Sequence, residues 1–237
     1  MNLLLFDAAE ITGPLSRRDP RAIHLLSVLR RRPGDAFDAG VVNGPRGPGT
    51  LVAIGDEAMT LAFAWDAEPP PPDDIALVIG LPRPQTARDL LRDLTSLGVA
   101  TLHFVITEKG DPNYAQSTLW HGGEWRRHLR TGAAQAFCTR LPAVTHGHTL
   151  ADTLAALPAG GARLALDHYE APAPLSAATV LPPATLALGP ERGWADGDRA
   201  VLHAHGFGFV HLGTRVLRVE TAAVAAAALI KAKLGSL

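Results

Sequence analysis

Hydrophobic and polar positions alternate in short runs through the first 68 residues, which is typical of strands that bury one face. One segment, 21–30, instead repeats its apolar residues at helical spacing. Its predicted buried stripe consists of Ile23, Leu26 and Leu29, widened by Leu25 and Val28. The strands predicted around this helix are 3–6, 36–42, 50–54 and 59–65. The pattern therefore predicts a small β-barrel with one helix.

From residue 75 onward, short apolar runs alternate with longer segments of helical periodicity. The predicted strands are 75–81, 102–107, 164–167, 186–188 and 210–212. The predicted helices are 86–97, 124–137, 196–205 and 220–234. Alternation of this kind indicates an α/β domain with a mostly parallel sheet.

The stretch 68–74, with the sequence EPPPPDD, separates these two patterns. Consecutive prolines lack backbone N–H groups and fix φ, so they continue neither a helix nor a central strand. We therefore predict two domains, 1–68 and 75–237, joined by a semi-rigid extended linker at 69–74.

The composition narrows the class of protein. With 237 residues, 47% of them hydrophobic, the chain can form one large domain or two smaller ones. No apolar run approaches ~18 residues, so we do not expect a membrane span. The single cysteine, Cys138, excludes an internal disulfide framework and fits a reducing cytoplasm, where we expect the protein to act.

The formal net charge of −1 is not that of a general nucleic-acid binder. An RNA partner would have to be held by local basic patches, of which Arg30-Arg31-Arg32 is one. The alternative interpretation of this cluster is a solvated helix end, where cations also suit the negative end of the helix dipole.

Two glycine-flanked loops in the last quarter of the chain carry the strongest functional signal. They are 189–193, with the sequence GPERG, and 212–221, with the sequence LGTRVLRVET. Each follows a strand-like run and leads into a helix-forming segment, so free N–H groups and a favourable dipole lie nearby. Glycine lets the backbone turn sharply and approach a ligand closely. The pair predicts the walls of a pocket for a small polar molecule.

The same loops resemble the signature of a known family. Residues 188–193 and 212–222 are similar to the motifs of the bacterial 16S rRNA uridine-N3 methyltransferases (ribosomal small-subunit methyltransferase E), which belong to the knotted SPOUT class. Arg192 stands where that family usually has glycine. The run 24–30, followed by Pro-Gly-Asp at 33–35, resembles the opening of the family's PUA-like RNA-binding domain.

A further stretch, 133–142, resembles a family motif less closely. Gln135 and Pro142 fall in register with it, and Arg140 remains near an expected arginine. Three positions depart from the motif: Gly132, Ala136 and Cys138. We expect this stretch to meet RNA rather than the cofactor.

The resemblance implies a fold, a cofactor and partners. The fold would be α/β, with a PUA-like β-barrel followed by a SPOUT domain containing a deep trefoil knot. The knot would hold S-adenosylmethionine, and the substrate would be 16S rRNA of the small ribosomal subunit. A homodimer is implied, with the cofactor pocket against the partner subunit. The implied cofactor contacts are Leu188, Gly189, Gly193, Leu212, Gly213, Leu217 and Thr221, and the RNA contacts we expect are Arg30, Arg31, Arg32, Arg140 and Arg192.

Methyl transfer to uracil N3 requires that nitrogen to lose a proton and the ring carbonyls to carry negative charge. Arg218 is the first candidate for stabilising that charge, because arginine stays protonated and presents a planar fork of donors, and Arg215 is the second. Glu191 or Glu220 would accept the proton or orient Arg218. For Glu220 and Thr221 the alternative is a purely structural role at the start of the last helix.

Other candidate sites are weaker. The pairs His146/His148 and His203/His205 lack a cysteine or carboxylate partner, so we expect no metal. Trp120 and Trp125 have the residue type that stacks on bases, although packing is the simpler interpretation. Two alternative functions stay open: a methyltransferase of the same fold with another RNA target, and a non-catalytic RNA-binding or ribosome-assembly protein.

Overall fold

The structure, a computed structural model, describes residues 3–66 and 68–237. The chain divides into two compact units, Met1–Pro71 with Ala133–Leu141, and Pro72–Gly132 with Pro142–Leu237. The second unit begins inside the proline-rich stretch. Residues 1, 2 and 67 of the expected first domain lie outside the described part. The sequence interpretation placed 133–141 in the second domain, whereas the structure groups it with the first.

The first unit contains a five-stranded sheet in the order β1-β3-β4-β5-β2. β1 lies parallel to β3, and the other pairs are antiparallel. The predicted strands are confirmed, although the third begins four residues earlier than expected and the two-residue β2 was missed. The bounds are β1 Leu4–Phe6, β2 Leu15–Ser16, β3 Ala36–Val41, β4 Arg46–Ile54 and β5 Ala58–Phe63.

The predicted helical segment is present, but its buried face differs from the prediction. Helix α1, Pro20–Ile23, is capped by the Asp19 carboxylate and continues as a π-helical stretch, His24–Val28. Leu25 is fully buried, whereas the exposed fractions of Ile23 and Val28 are 50% and 64%. The wider π winding from His24 onward changes which side chains face inward, so the 3.6-residue period predicted Leu25 correctly and Val28 incorrectly.

Backbone hydrogen bonds explain why 133–141 belongs to the first unit. The Leu3 N–H donates to the Ala134 carbonyl at 3.1 Å, and the Asn43 N–H donates to the Thr139 carbonyl at 2.8 Å. The buried Thr139 hydroxyl donates to the Gly44 carbonyl at 2.6 Å. These contacts join positions about 95 or more apart in sequence, which a local hydrophobic pattern does not reveal.

The second unit contains a seven-stranded sheet in the order β10-β12-β9-β11-β6-β7-β8, and every neighbouring pair is parallel. This confirms the mixed α/β fold with a parallel sheet. The strands are β6 Asp73–Gly80, β7 Val99–Ile106, β8 Ala143–Thr149, β9 Ala162–Leu166, β10 Ala173–Pro174, β11 Ala184–Leu188 and β12 Gly208–His211.

The helices of the second unit confirm the predicted ones to within a few residues. Two short helices and the strands β8 and β10 were missed. β8 lies at the sheet edge and reads AVTHGHT, so it lacks the apolar run of a buried strand. The helices are α2 Pro84–Ser96, α3 Thr118–His121, α4 Glu124–Gln135, α5 Leu150–Ala155, α6 Asp196–Ala204 and α7 Val219–Leu234.

The last helix is anchored to the rest of the second unit along its length. Helix α7 packs against α2 and β11, and its small residues Ala223, Ala226 and Ala227 are fully buried. Lys231 pairs with Asp73 and donates to the Leu97 carbonyl at 2.8 Å. Gly235 ends the helix in the left-handed conformation. The start of α7, which follows the second glycine loop, is therefore held in place.

Among the described residues, no helix combines the length and apolar character that crossing a membrane requires.

Candidate active site

A cavity of about 750 Å³, here called the large cavity, opens where β9, β11 and β12 end. Parallel strands end at the same edge of a sheet, which is where α/β proteins commonly bind ligands. Three loops form its walls: 167–169, 189–194 and 212–218. Its volume lies within the usual range of small-molecule sites.

Most of the sequence-predicted residues meet at this cavity. Gly213 and Thr221 do not line it, although their neighbours do. Arg30, Arg31, Arg32 and Arg140 belong to the first unit and are not among the residues that line the cavity. The predicted residues that line the large cavity are Leu188, Gly189, Glu191, Arg192, Gly193, Leu212, Arg215, Leu217, Arg218 and Glu220.

The first loop, 189–193, is a tight turn that depends on glycine. The Gly193 N–H donates to the Pro190 carbonyl at 2.8 Å, and Gly193 has a φ of 66°. A Cβ on Gly189 would lie 3.0 Å from Gly193, and one on Gly80 at the end of β6 would overlap the Pro190 ring. The loop therefore packs against the end of β6 at backbone distance.

Arg192 fits this turn without strain. Among the described residues other than glycine, only Arg30, Asn43 and Phe137 have positive φ. The left-handed position of the turn is Gly193, which the chain keeps. The exchange of the family's glycine for arginine therefore adds an exposed cation to the cavity wall without changing the turn.

Arg83, which the sequence interpretation missed, holds Glu191 in place. The Arg83 backbone N–H donates to Glu191 Oε1 at 3.0 Å, and the guanidinium Nε lies 3.3 Å from the same oxygen. Such an exposed pair adds little to stability, but it fixes where the carboxylate lies. The sequence signal that could have identified Arg83 is its position. It is a cation just after β6, and β6 lies next to β11, the strand that leads into the first loop.

The second loop, 212–218, differs from the first because, among the described residues, no backbone hydrogen bond closes it into a turn. Gly213 has a φ of 103° and donates its N–H to His211 Nδ1 at 3.0 Å. Over the described ranges, the N–H groups of 214–218 donate to no other backbone group, and the side chains of Arg215 and Arg218 make no hydrogen bond or ion pair. Exposed donors and two unpaired guanidinium groups thus precede the first turn of α7, where Glu220 lies.

The third wall contains a buried ion pair that the sequence did not reveal. Arg199 Nε donates to Asp167 Oδ2 at 2.8 Å, and the two side chains are only 8% and 2% exposed. Burial alone would raise the pKa of Asp167, but hydrogen bonds from the Glu170 and Tyr169 N–H groups and from Arg199 outweigh it and lower that pKa. The sequence signal that could have identified Asp167 is its position, because it is a carboxylate directly after β9.

The basic residues of the first unit have two different roles. Arg30, Arg31 and Arg32 are exposed at the end of the π-helical stretch. Arg140, expected to contact RNA, instead donates to the Asn43 carbonyl at 2.7 Å, the Glu68 carboxylate at 2.8 Å and the Pro69 carbonyl at 3.2 Å. Its guanidinium is used to hold 133–141 in the first unit.

Two of the three departures from the family motif near 132–138, Gly132 and Cys138, make local contacts, whereas nothing in the structure explains Ala136. A Cβ on Gly132 would overlap the Arg92 carbonyl, so glycine lets α4 approach α2 closely. The Gly132 carbonyl also accepts the Ser96 hydroxyl at 2.9 Å. Cys138 Sγ accepts the Arg140 N–H at 3.4 Å. Neither Gly132, Ala136 nor Cys138 lines the large cavity.

The remaining candidates are the tryptophans considered for base stacking and the histidines considered as metal ligands. Trp120 is buried, with its ring 4.9 Å from that of Phe104, which confirms the packing interpretation. His203 pairs with Glu170 at 3.0 Å. Within the part of the chain that the structure describes, no three histidine, cysteine or acidic side chains are grouped as metal ligands would be.

Comparisons with known proteins agree on one family. A family model described as an RNA methyltransferase domain matches residues 69–231. The ribosomal RNA small subunit methyltransferase E of Treponema pallidum is 34% identical over 98% of this chain and 91% of its own length. The chain belongs to the ribosomal RNA small subunit methyltransferase E family.

Solved structures agree with this assignment at the level of the fold. The ribosomal RNA small subunit methyltransferase E of Neisseria gonorrhoeae, bound to S-adenosyl methionine, superposes with a TM-score of 0.78 at 21% identity, over 98% of this chain and 97% of that one. A probable rRNA-methyltransferase from Porphyromonas gingivalis gives 0.83 at 19% identity, over 99% of both chains. At such low identity the likeness shows the fold alone.

Proposed function

We propose that the chain is an S-adenosylmethionine-dependent methyltransferase that modifies N3 of a uridine in 16S rRNA of the small ribosomal subunit. One observation carries the proposal: the two loops that match the family signature line a single cavity. The family membership of the chain and the names of its relatives support the same activity.

The large cavity fits the cofactor. Leu188, Leu212 and Leu217 give apolar surface for an adenine ring, and the unpaired N–H groups of 214–218 give donors for its polar edge and the ribose. When bound, the cofactor supplies a methyl group activated on a sulfonium. Gly213 acts by shaping the loop. Thr221 has no contact with the cavity, and we assign it no role in binding.

The chain's own residues activate the acceptor. Glu191, held by Arg83, accepts the N3 proton of the uracil, which leaves negative charge on the ring carbonyls. Arg218 donates hydrogen bonds to those oxygens, and Arg215 is the second candidate for this role. Both guanidinium groups lack a protein partner over the described ranges, so they are available to a ligand. Glu220, at the start of α7, orients Arg218 electrostatically.

We extend the proposal to the whole chain. The first unit is a PUA-like barrel that binds RNA phosphates through Arg30, Arg31 and Arg32, and Arg192 adds a phosphate contact at the cavity. The second unit has the SPOUT trefoil knot. The protein acts in the cytoplasm as a homodimer, which would cover the apolar side chains exposed at the cavity mouth, Tyr169 at 87% and Val216 at 81%.

Two measurements on the purified protein test the proposal. Calorimetric titration with S-adenosylmethionine should give heat and a thermal shift, and tritiated donor should label 16S rRNA in small subunits that lack the modification. Absence of both heat and shift would favour an assembly factor without chemistry. Label in a different RNA would favour a methyltransferase of the same fold with another target.

A further inference from the structure

A second cavity of about 390 Å³, here called the small cavity, shares a wall with the large one. Arg83, Pro190, Glu191 and Arg192 line both. The opposite wall of the small cavity is formed by Leu81 and by residues 109–112 and 114, which follow β7. A ligand in the small cavity therefore lies next to a ligand in the large one, with the Arg83–Glu191 contact between them.

The charged groups of the small cavity favour an anion. Its lining carries three cations, Arg83, Lys109 and Arg192, against two carboxylates, Asp111 and Glu191, and Glu191 is paired with Arg83. Lys109 Nζ donates to the neutral Trp194 carbonyl at 2.8 Å, so its charge is not neutralised and further N–H donors remain. Together with the exposed Arg192 this gives an excess of positive charge.

The same cavity also offers flat apolar surface. Tyr114 is half-buried in a 3-10 helix, Pro112–Gln116, whose start is fixed by the Asp111 carboxylate. Pro190 and Leu81 provide further apolar lining. Proteins hold single unstacked bases against aromatic rings and apolar side chains, with cations on the neighbouring phosphate. An aromatic ring and two cations in one small cavity match one nucleotide.

We propose that the small cavity binds the target nucleotide, a single pyrimidine ribonucleotide turned out of the RNA. One face of the base lies against Tyr114, its N3 edge is turned to the shared wall with Glu191 and the large cavity that Arg218 lines, and Lys109 and Arg192 hold its phosphate. Enzymes that modify a base remove it from the stack into a pocket of this kind, and the volume fits one small ligand rather than a duplex. This inference rests on the proposed function and names the site of its acceptor.

The chain has only two tyrosines, Tyr114 and Tyr169, which permits a direct binding test. Tyr114 lines the small cavity and Tyr169 lines the large one. With 3-fluorotyrosine incorporated, we expect uridine 5′-monophosphate to shift the fluorine resonance of Tyr114, and S-adenosylhomocysteine to shift that of Tyr169. If the nucleotide leaves the Tyr114 resonance in place, or shifts only the Tyr169 resonance, the inference is wrong.

Kinetics on unmodified small subunits provide an independent test. Tyr114→Ala should raise the KM for the subunit about 10- to 100-fold, with unchanged affinity for S-adenosylmethionine, and Tyr114→Phe should restore it because the ring rather than the hydroxyl is needed. Arg192→Ala should weaken binding and reduce its salt dependence, whereas Arg127→Ala, which removes an exposed cation from α4, should do neither.

The outcomes separate this inference from the proposed function. Cofactor binding and rRNA labelling with an unchanged KM in Tyr114→Ala would overturn the nucleotide site alone. If the wild-type protein neither binds the cofactor nor labels rRNA, the proposed function is wrong, and the nucleotide site with it.

Discussion

The loop 189–193 and the segment 133–141 both resemble family motifs, yet the structure uses them in different ways. In 189–193 the glycines keep the backbone compact while Glu191 and Arg192 face a cavity. In 133–141 the polar groups are paired with the first unit, and Arg140 makes three hydrogen bonds there. A guanidinium whose two terminal nitrogens are both paired inside the protein has little left to offer a ligand.

The difference shows that motif similarity alone does not distinguish a binding residue from an architectural one. Arg218 and Arg140 are both arginines in family-like stretches. Arg218 lines the large cavity, and the described residues provide it with no ion pair, whereas Arg140 ties together parts of the chain that are far apart in sequence. Single substitutions in the two regions test this contrast.

Arg218→Ala should lower kcat by about 100- to 1,000-fold, because a donor to the charge that develops on the uracil is lost. The thermal unfolding temperature should stay unchanged, since none of the described residues pairs with the Arg218 side chain. Single-turnover transfer of tritiated methyl groups to small subunits measures the rate. An unchanged rate would remove Arg218 from the mechanism.

Gly80→Ala should weaken the affinity for S-adenosylmethionine by about 10-fold or more, because the added methyl group overlaps Pro190 and displaces the first loop. Overpacking of this kind typically costs ~1–3 kcal/mol. The matched control is Gly13→Ala, since a Cβ there meets no atom within 4 Å. Calorimetry on both variants makes the comparison. Equal affinities would contradict the close packing of β6 and the loop.

Arg140→Ala should lower the free energy of unfolding by about 1–3 kcal/mol, because two carbonyls and a carboxylate lose their donor. Its affinity for S-adenosylmethionine should not change. Arg31→Ala should show the reverse: unchanged stability in urea unfolding and weaker binding to the small subunit. If Arg140→Ala lowers RNA affinity without lowering stability, the structural role given to Arg140 is wrong.

The buried Asp167–Arg199 pair predicts a small pH effect. The folded-state pKa of Asp167 is lowered, so the pair stabilises the protein above the ordinary aspartate value of about 4 and loses that contribution as the pH falls further. The free energy of unfolding should therefore depend less steeply on pH, between about pH 4 and 2, in Asp167→Asn than in the wild type. Equal slopes in urea titrations would show that the pair contributes no such linkage.

Much of the fold could be predicted from the sequence because hydrophobic spacing is a local signal. It located most strands and helices of both units, and the glycine loops identified two walls of the large cavity. The failures share one physical cause, which is dependence on distant contacts. Arg83 and the Asp167–Arg199 pair depend on strands brought together by the sheet order, and the placement of 133–141 depends on hydrogen bonds to residues near 3 and 43. The π-helical stretch 24–28 departs from the 3.6-residue period that the prediction assumed.

The central claim is that this chain methylates N3 of a uridine in 16S rRNA. Nuclease digestion and mass spectrometry of rRNA from a strain lacking the gene test it most directly. One N3-methyluridine should disappear from the deletion strain, return with the wild-type gene and not return with Arg218→Ala. Persistence of that nucleotide in the deletion strain would contradict the assignment.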